Sequence, residues 1–231
     1  MIIAIIVGIV LLAWLCYGPI PTIVYKYLKN NRCSEEKEIL LTFDDGPDAV
    51  YTQQLLNVLE EADIEAIFFL LGQKVQKYPS VAKKIVQQQH RVGLHGSAHE
   101  NMWFLTPKKT KESIEKGMAQ LRDNNMHPNF YRPPYGNINL FTLKYARKQG
   151  LKALWWTAIV GDWKKTESTE LVERLNHRLT PGMVVVLHDS AEDTGGQQGS
   201  AQMMIKALEQ WIPLVRQQGY RFIKPSERES E

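Results

Sequence analysis

Two adjacent carboxylates follow a short apolar run near residue 40. The segment LLTFDDGPD places Asp44 and Asp45 directly after LLTF and before a Gly-Pro pair. Neighbouring side chains of a regular strand point to opposite faces, so these two carboxylates would serve different roles. One can bind a metal ion while the other accepts a proton. Taken alone, the segment fits an Asp-Gly turn with solvated acids equally well.

Two histidines four residues apart end another apolar run, in the segment RVGLHGSAH. On a helical turn this spacing puts the imidazoles of His95 and His99 on one face, the usual spacing for a pair of metal ligands. Structural histidines are more common than metal ligands, but Asp45 would complete an Asp-His-His set. Three protein ligands with one open position are typical of a catalytic metal that activates water.

Two more segments carry groups that could complete a hydrolytic site. In YRPPYG, Arg132 precedes two prolines. A rigid surface turn explains this pattern, but a fixed guanidinium and a stiff backbone could also face an oxyanion. In VVVLHD, His188 ends an apolar run. A histidine there is more often a hydrogen-bonded core residue, but beside an activated water it would be a natural general acid.

Together these segments resemble the motifs of a known family. They occur in the same order as the five motifs of the polysaccharide deacetylase family. The five segments are TFDDGPD, the His95/His99 pair, RPPYG, GDW at Gly161–Trp163, and LHD. That family is the NodB-homology domain of carbohydrate esterase family four, and the likeness extends from about Ile39 to Ile223. The resemblance implies a hydrolase that removes acetyl groups from sugar polymers with a divalent metal, zinc in the first place, with cobalt or nickel as alternatives.

The resemblance also implies a role for each matching residue. The catalytic residues would be the base Asp44, the acid His188, Arg132 paired with the base, and Asp162, which orients the acid. The metal ligands would be Asp45, His95 and His99. The residues at the substrate or the oxyanion would be Pro134, Tyr135, Trp163 and Leu187, with the Tyr135 N–H at the oxyanion and Trp163 and Leu187 around the acetyl methyl group.

Two positions depart from the family pattern. Gly96 stands where the family usually has Ser or Thr after the first histidine, and Ile159 stands where it usually has Asp. The first change could loosen the turn between the two histidines. The second removes a supporting carboxylate, while Asp162 and Trp163 are retained. We therefore expect an active enzyme.

The elements that must position these residues alternate between strands and helices. Short apolar runs predict strands over Glu38–Phe43, Ala66–Leu71, Arg91–Leu94, Asn129–Tyr131, Leu151–Trp156, Met183–Leu187 and Tyr220–Ile223. Longer amphipathic stretches predict helices over Tyr51–Ala62, Pro79–Gln89, Pro107–Asn124, Leu140–Gln149, Ser168–Leu179 and Ala201–Gln217. This alternation is typical of a parallel α/β sheet. The pattern leaves an open sheet or an incomplete barrel, and the resemblance implies a distorted, incomplete (β/α) barrel of about seven strands.

The charge of the chain is concentrated near its first residues. The sequence has 28 Lys and Arg against 25 Asp and Glu, a net charge of +3. Lys26, Lys29 and Arg32 are the only charged residues before Ser34, so the remainder is neutral. A neutral domain excludes a nucleic-acid surface spread over the fold. A 44% hydrophobic content excludes disorder, and two cysteines are too few for a disulfide framework.

The uncharged first 25 residues predict one N-terminal transmembrane helix. About 20 apolar residues cross a bilayer, and a buried core helix rarely runs this long without a polar face. A cleaved signal peptide would begin with basic residues and end at a small-residue cleavage site, and neither feature is found. We therefore predict a membrane anchor over residues 1–25, a juxtamembrane linker over 26–37 and the catalytic domain over 38–231.

The function predicted from these observations is removal of N-acetyl groups from an N-acetylglucosamine-containing cell-wall glycan, either peptidoglycan or a chitin-like polymer. Two alternatives are a deacetylase or deformylase of a lipid-linked sugar at the membrane, and a catalytically silent glycan-binding relative. The expected location is the cell membrane, single-pass, with the domain outside the cytoplasm. The positive-inside rule opposes that orientation, because Lys26, Lys29 and Arg32 would favour the cytoplasmic side.

Overall fold

The computed structural model describes residues 1–28 and 32–229. In this part of the chain eight strands form: β1 (Glu38–Asp44), β2 (Ile67–Leu70), β3 (Arg91–Leu94), β4 (Phe130–Tyr131), β5 (Lys152–Ala153), β6 (Ala158–Ile159), β7 (Met183–His188) and β8 (Arg221–Phe222). The helices are α1 (Ile2–Tyr17), α2 (Pro19–Leu28), α3 (Tyr51–Glu61), α4 (Gly72–Lys77), α5 (Pro79–Gln87), α6 (Pro107–Arg122), α7 (Thr142–Lys148), α8 (Ser168–Arg178), α9 (Ser200–Gln217) and α10 (Pro225–Glu229).

All strand pairs are parallel, and the sheet is an incomplete barrel. Its strands follow the order β5-β4-β3-β2-β1-β7-β6, while β8 pairs with the first two residues of β1. The predicted fold class is therefore confirmed, with seven strands in the main path and β8 beside it. Parallel strands present their carboxyl ends at one edge, so the polar segments that follow β1, β3, β4 and β7 meet there.

The central strand β1 is buried along its whole length, because helices cover one face of the sheet and side chains fill the other. Phe43 of β1 stacks on Phe68 of β2, with ring centroids 5.0 Å apart. Inside the helical layer, Trp211 of α9 is fully buried. Packing of this kind holds the strand ends rigidly, which a catalytic site at that edge requires.

The predicted strand Leu151–Trp156 is much shorter in the structure. β5 ends at Ala153, and a separate strand, β6, follows. The guanidinium of Arg132 donates to the carbonyls of Leu154 (3.0 Å) and Trp155 (3.2 Å), so these carbonyls do not serve a neighbouring strand. A buried side chain from another part of the chain thus interrupts an apolar run that local patterning reads as continuous.

The uncharged N-terminal stretch forms two helices rather than one. α1 ends at Tyr17, and α2 begins at Pro19 after a bend at Gly18. By length and composition, Ile2–Leu28 is the one described helical stretch able to span a membrane. In α1, the side chains from Ile2 to Ala13 are exposed. α2 instead packs on the domain, where Thr22 is only 3% exposed.

The division into anchor, linker and domain therefore stays a prediction, although Thr22 already contacts the domain. Of the three basic residues, Lys29 lies outside the described residues. Arg32 is exposed and pairs with Glu35 at 3.3 Å, whereas Lys26 is half-buried over the ring of Trp156. The two described basic residues thus differ in their surroundings, because docking of α2 turns Lys26 toward the protein.

Candidate active site

The register of two neighbouring strands brings a carboxylate and an imidazole together. Asp44 ends β1 and pairs with His188, which ends β7. Both residues follow long runs of β-branched and apolar residues that keep the strands regular up to the sheet edge. Two segments far apart in sequence thus deliver a potential base and a potential acid to one place.

Arg132 holds Asp44 from within the barrel. Its Nη1 donates to Asp44 Oδ1 at 2.8 Å and to Thr42 Oγ1 at 2.7 Å, and its guanidinium lies 4.1 Å from the ring centroid of Phe69. The side chain is fully buried, so these contacts and the two backbone carbonyls replace its solvent. A planar guanidinium with several fixed donors suits this role, because it orients the carboxylate in one direction.

Asp162 holds His188 on the opposite side of the site. Its Oδ2 accepts the backbone N–H of His188 at 2.7 Å, and its Oδ1 lies 3.1 Å from Nδ1 of the same imidazole. Burial alone would lower the pKa of His188, but the charge and hydrogen bond of Asp162 outweigh it and raise that pKa to about 10. His188 is therefore protonated at neutral pH, as a general acid must be.

Asp45, His95 and His99 form a cluster of possible metal ligands. Asp45 Oδ1 lies 3.3 Å from Nε2 of His95 and 3.3 Å from Nε2 of His99. One ligand atom from each residue lies within 4.8 Å of the others. The cluster sits at the ends of β1 and β3, and it is predominantly buried. Three ligands from two strand ends leave the side toward the cleft open.

The hydrogen bonding of this cluster favours a bound cation. The backbone carbonyl of Arg132 lies 2.7 Å from His95 Nδ1 and can only accept, so the ring proton lies on Nδ1 and the lone pair of Nε2 is free. Asp45 Oδ1 is buried and has no hydrogen-bond partner among the described residues. Buried polar atoms are rarely left in this state unless an ion or water satisfies them. The donor set therefore fits a divalent metal.

The charges around the cluster agree with this fit. Burial alone would raise the pKa of Asp45, but its contact with His95 and the charges of His188 and His99 outweigh burial, so that pKa lies well below its usual range. Burial lowers the pKa of His99 to about 4. At neutral pH the carboxylate is charged and the imidazole is neutral, which are the forms that bind a cation.

The helical turn predicted for the two histidines is wrong. Residues 95–99 form an irregular turn after β3, and Gly96 has a φ of +107°, outside the helical region. The carbonyls of Gly96 and Ser97 accept the N–H groups of Gly72 and Gln73, both at 2.9 Å, so α4 supports the turn. A backbone turn thus brings both Nε2 atoms to Asp45. At a positive φ, glycine costs less strain than the Ser or Thr expected from the family.

Tyr135 lies on a strained turn beside the metal cluster. Its φ is +60°, its side chain is half exposed, and its ring centroid is 4.4 Å from that of His99. Tyr135 is inside a short 3-10 turn, Pro134–Gly136, in which Pro134 has no N–H and the Gly136 N–H donates to the Pro133 carbonyl at 2.9 Å. Pro134 is buried and forms part of this turn. The arrangement can present the Tyr135 N–H to an anion.

A cleft of about 300 Å³ connects these groups. Of the residues predicted at the substrate, Trp163 and Tyr135 line it, and the ring of Trp163 contacts that of His188 edge-on at 5.3 Å. Leu187 does not line the cleft, since it is 1% exposed and belongs to the hydrophobic core. Along β7 successive side chains alternate, so Val186 and His188 face the cleft while Leu187 faces the helices.

Several residues that line the cleft have no counterpart among the sequence-based predictions: Gly136, Trp156, Ile159, Val186, Thr194, Gly195 and Gly196. Val186 could have been found, because a residue two positions before His188 on a strand shares its face. Thr194–Gly196 belong to the polar loop after β7, and no local signal links that loop to the cleft. Ile159 offers an apolar side chain to the cleft at a position where the family usually has Asp.

Comparison with known proteins agrees with this geometry. The family model described as polysaccharide deacetylase matches residues 31–154. A peptidoglycan-N-acetylglucosamine deacetylase of Bacillus cereus is 33% identical over 187 residues, which are 80% of this chain and 66% of the relative. The chain thus spans slightly less than two thirds of that relative's length.

Solved structures show the same fold. A peptidoglycan N-acetylglucosamine deacetylase in complex with an N-hydroxybenzamide compound gives a TM-score of 0.76 at 30% identity, with 84% of this chain and 88% of that chain covered. A pseudoenzyme of carbohydrate esterase family four from Bacillus anthracis gives a TM-score of 0.74 at 26% identity, with 83% and 67% covered. Both active enzymes and inactive relatives thus share this architecture.

Proposed function

This chain belongs to the polysaccharide deacetylase family, and we propose that it removes the N-acetyl group from N-acetylglucosamine in a cell-wall glycan, with peptidoglycan as the first candidate. The names of its relatives support this substrate class. The observation that carries the proposal is the convergence of Asp44, His188 and the Asp45-His95-His99 cluster on one cleft.

Asp45, His95 and His99 would hold a divalent cation, zinc in the first place, with cobalt or nickel as alternatives. Once bound, such a cation polarises the acetyl carbonyl and lowers the pKa of a nearby water. An amide is a poor electrophile, so this assistance matters more for an N-acetyl group than for an ester. Asp45 Oδ1 would gain the partner that it otherwise lacks.

Asp44 and His188 would move the two protons of the reaction. Asp44 accepts the proton of the attacking water while Arg132 keeps the carboxylate oriented at 2.8 Å. His188 donates a proton to the leaving amine, which cannot depart as an anion. Asp162 keeps that imidazole protonated and correctly oriented. The base and the acid lie on adjacent strands, so they can act on opposite sides of one carbonyl carbon.

The walls of the cleft would hold the acetyl group. The N–H of Tyr135 donates to the oxygen that becomes negative during the attack. Trp163 and Val186 enclose the methyl group, with Val186 in the place that the sequence assigned to Leu187. Pro134 fixes the turn that presents the Tyr135 N–H.

A membrane location is supported by the aromatic residues near the end of α1. The 16 residues of α1 extend about 24 Å, which is less than the ~30 Å hydrocarbon core of a bilayer. A membrane-spanning α1 would therefore bring the domain close to the lipid surface. Trp14 stacks on Phe104, which is 70% exposed, with centroids 5.9 Å apart. Aromatic side chains of this kind favour the membrane interface.

Two alternatives have observations of their own. Closeness to the bilayer would suit a lipid-linked sugar as substrate. A silent, glycan-binding protein is the other, because a structural neighbour is a pseudoenzyme and because Gly96 and Ile159 depart from the family pattern. The catalytically silent alternative is less favoured, because one cleft brings together all the residues that the chemistry requires: Asp44, Asp45, His95, His99 and His188.

The deciding experiment uses the full chain in detergent, stripped of metal and reloaded with zinc or cobalt. Acetate release is measured from N-acetylglucosamine oligomers, peptidoglycan fragments and a polyprenyl-linked sugar. We expect activity that requires metal and is lost on chelation, with glycan preferred. A metal-loaded protein that releases no acetate from any of the three substrates, and no formate from an N-formylated polyprenyl-linked sugar, would favour the silent alternative.

Orientation in the membrane needs a separate measurement. A reporter fused after the last residue, and active on only one side of the membrane, would show where the domain lies. We expect the signal of an extracytoplasmic domain, because peptidoglycan lies outside the cytoplasmic membrane. A cytoplasmic signal would rule out mature peptidoglycan and favour the lipid-linked substrate.

A further inference from the structure

Helix α2 packs against the loop that follows the Tyr135 turn. The buried hydroxyl of Thr22 pairs with both backbone groups of Ile138: it accepts the N–H at 2.9 Å and lies 2.9 Å from the carbonyl oxygen. The same hydroxyl oxygen accepts the indole N–H of Trp103 at 2.9 Å. Three polar contacts at one buried hydroxyl fix α2 relative to the domain.

A second contact links α2 to the turn itself. The ring of Tyr25 lies 4.6 Å from that of Trp155, centroid to centroid, and the Trp155 indole N–H donates to the Gly136 carbonyl at 3.3 Å. Tyr25 therefore supports the residue that follows Tyr135. The next residue, Lys26, therefore lies on a part of α2 that packs on the domain.

Lys26 lies beside two residues that line the catalytic cleft. Its Nζ is 5.4 Å from the ring centroid of Trp156, and a Cβ added to Gly136 would be 3.1 Å from the same nitrogen. Trp156 and Gly136 both line the cleft that contains Asp44 and His188. The ammonium group is thus next to two wall residues of the cleft and half-buried.

The charge of Lys26 has no counter-ion in the described part of the chain. Other lysines near the surface pair with acids, such as Lys77 with Glu192 at 2.5 Å and Lys224 with Glu65 at 2.7 Å. For Lys26 the structure gives the face of Trp156 as its partner. A half-buried ammonium without a carboxylate partner can bind an anion, because pairing restores the solvation that burial removed.

We propose that Lys26 forms an anion subsite of the cleft, which binds a carboxylate or phosphate on the part of the substrate next to the sugar that is deacetylated. The proposal rests on the proposed function. A carboxylate would come from an acidic neighbouring sugar or its attached peptide, and a phosphate from a lipid-linked sugar. Lys26, which the sequence-based division assigns to the linker, is then a specificity-determining residue contributed by helix α2.

The test compares full-length wild type, K26Q and K26R in detergent. The matched control is K144Q, an exposed lysine of α7 beside the separate groove between α2 and α7. Acetate release is measured for neutral N-acetylglucosamine oligomers, for carboxylate-bearing peptidoglycan fragments, for the same fragments with esterified carboxylates, and for a diphosphate-linked sugar.

For K26Q we expect KM to rise about tenfold on the anionic substrate, the size of one charge-assisted hydrogen bond. The kcat should change little, and activity on neutral oligomers should stay within about twofold, since only a charge contact is lost. K26R and K144Q should resemble wild type, and esterification should remove the difference between wild type and K26Q. The effect on carboxylate-bearing or on diphosphate-linked substrate identifies the source of the anion.

Two results would overturn the proposal. Equal losses on neutral and anionic substrates would mean that Lys26 only supports Trp156, and unchanged KM on every anionic substrate would mean that no subsite exists. Binding is also measured without turnover, with peptidoglycan fragments and the diphosphate-linked sugar titrated into D44N and D44N/K26Q. This readout separates failure of the subsite from failure of the proposed deacetylase, which would instead be seen as absence of acetate release by wild type.

Discussion

Replacement of Asp162 by Asn tests how the proposed acid is kept protonated. The structure gives His188 a pKa of about 10 against an ordinary value of 6.5, and Asp162 provides the largest opposition to burial. Asparagine has the size of aspartate and one oxygen that can accept the backbone N–H of His188, but it carries no negative charge. We expect the pKa of His188 in D162N to fall toward its ordinary value, because the largest opposition to burial is removed while the charges of Asp45 and Asp44 remain.

The size of the effect follows from the fraction of protonated imidazole. At pH 8 a pKa of about 10 leaves nearly all of His188 protonated, whereas a pKa of about 6.5 leaves ~3%, so kcat/KM should fall roughly 30-fold. At pH 6 most of the imidazole is protonated in either case, so the loss from this cause should be less than about twofold. The alkaline limb of the pH profile should therefore move toward acid by several pH units.

The assay is the pH dependence of kcat/KM for acetate release by the metal-loaded full chain. D193N is the control, because Asp193 is an exposed residue of the loop after β7 and lies on no element that holds His188. If D162N were slowed equally at every pH and kept its alkaline limb, Asp162 would not set the protonation of His188, and the reasoning would be refuted.

The free energy of unfolding should also depend on the pair of His188 and Asp162. A pKa raised in the folded state means that the pair stabilises the fold fully below pH 6.5 and that this contribution is lost as the pH rises through about 10. Wild type should thus lose stability over that alkaline interval, and D162N should lose less. Thermal unfolding between pH 6 and pH 10.5 measures both curves.

Four other changes give distinct outcomes. D44N should lose activity at least 100-fold while its metal content, measured by elemental analysis, stays near one per chain, whereas D45N should lose the metal; metal loss in D44N would contradict the division of roles. R132M should lower the free energy of unfolding by about 3–5 kcal/mol in urea titration, because it leaves the buried Asp44 carboxylate unpaired. K108M, which breaks an exposed pair with Glu112, should cost less than about 1 kcal/mol. G96S should lower stability by about 1 kcal/mol without raising activity, because its φ of +107° disfavours a side chain; the control is A98S, and a gain in activity would show that the missing hydroxyl limits the rate. A chain beginning at Ser34 should melt at a lower temperature than the full chain, since Ile138 and Trp103 lose their hydrogen bonds to Thr22; an unchanged melting temperature would mean that α2 is dispensable for the fold.

The fold and the central chemistry were predictable because their signals are local. Apolar runs of four to seven residues separated by amphipathic stretches specify parallel strands and covering helices. The residues that end those runs must then meet at one sheet edge, and this rule places Asp44 and His188 together from their sequence positions. The metal cluster followed from residue type, since one Asp and two histidines can hold a catalytic cation and leave one position open.

Other features were decided by contacts between distant residues. The Arg132 guanidinium binds the Leu154 carbonyl, and the predicted strand ends at Ala153. No local sequence pattern predicts this early end. The conformation of Gly96 replaces the expected helical turn. The choice of Val186 over Leu187 in the cleft depends on which face of β7 the helices cover, and α9 and α8 determine that face.

The sequence by itself determined that this chain has an apolar N-terminal segment, a neutral α/β domain and the residues of a hydrolytic metal site. The tertiary structure alone decided that α2, at the end of this segment, packs on the domain. From the composition of their neighbours in sequence, Thr22 is assigned to the anchor and Lys26 to the linker that follows it. Their positions are set by Ile138 and Trp156, more than 110 residues away, and the energy of such contacts is defined only once the chain has folded.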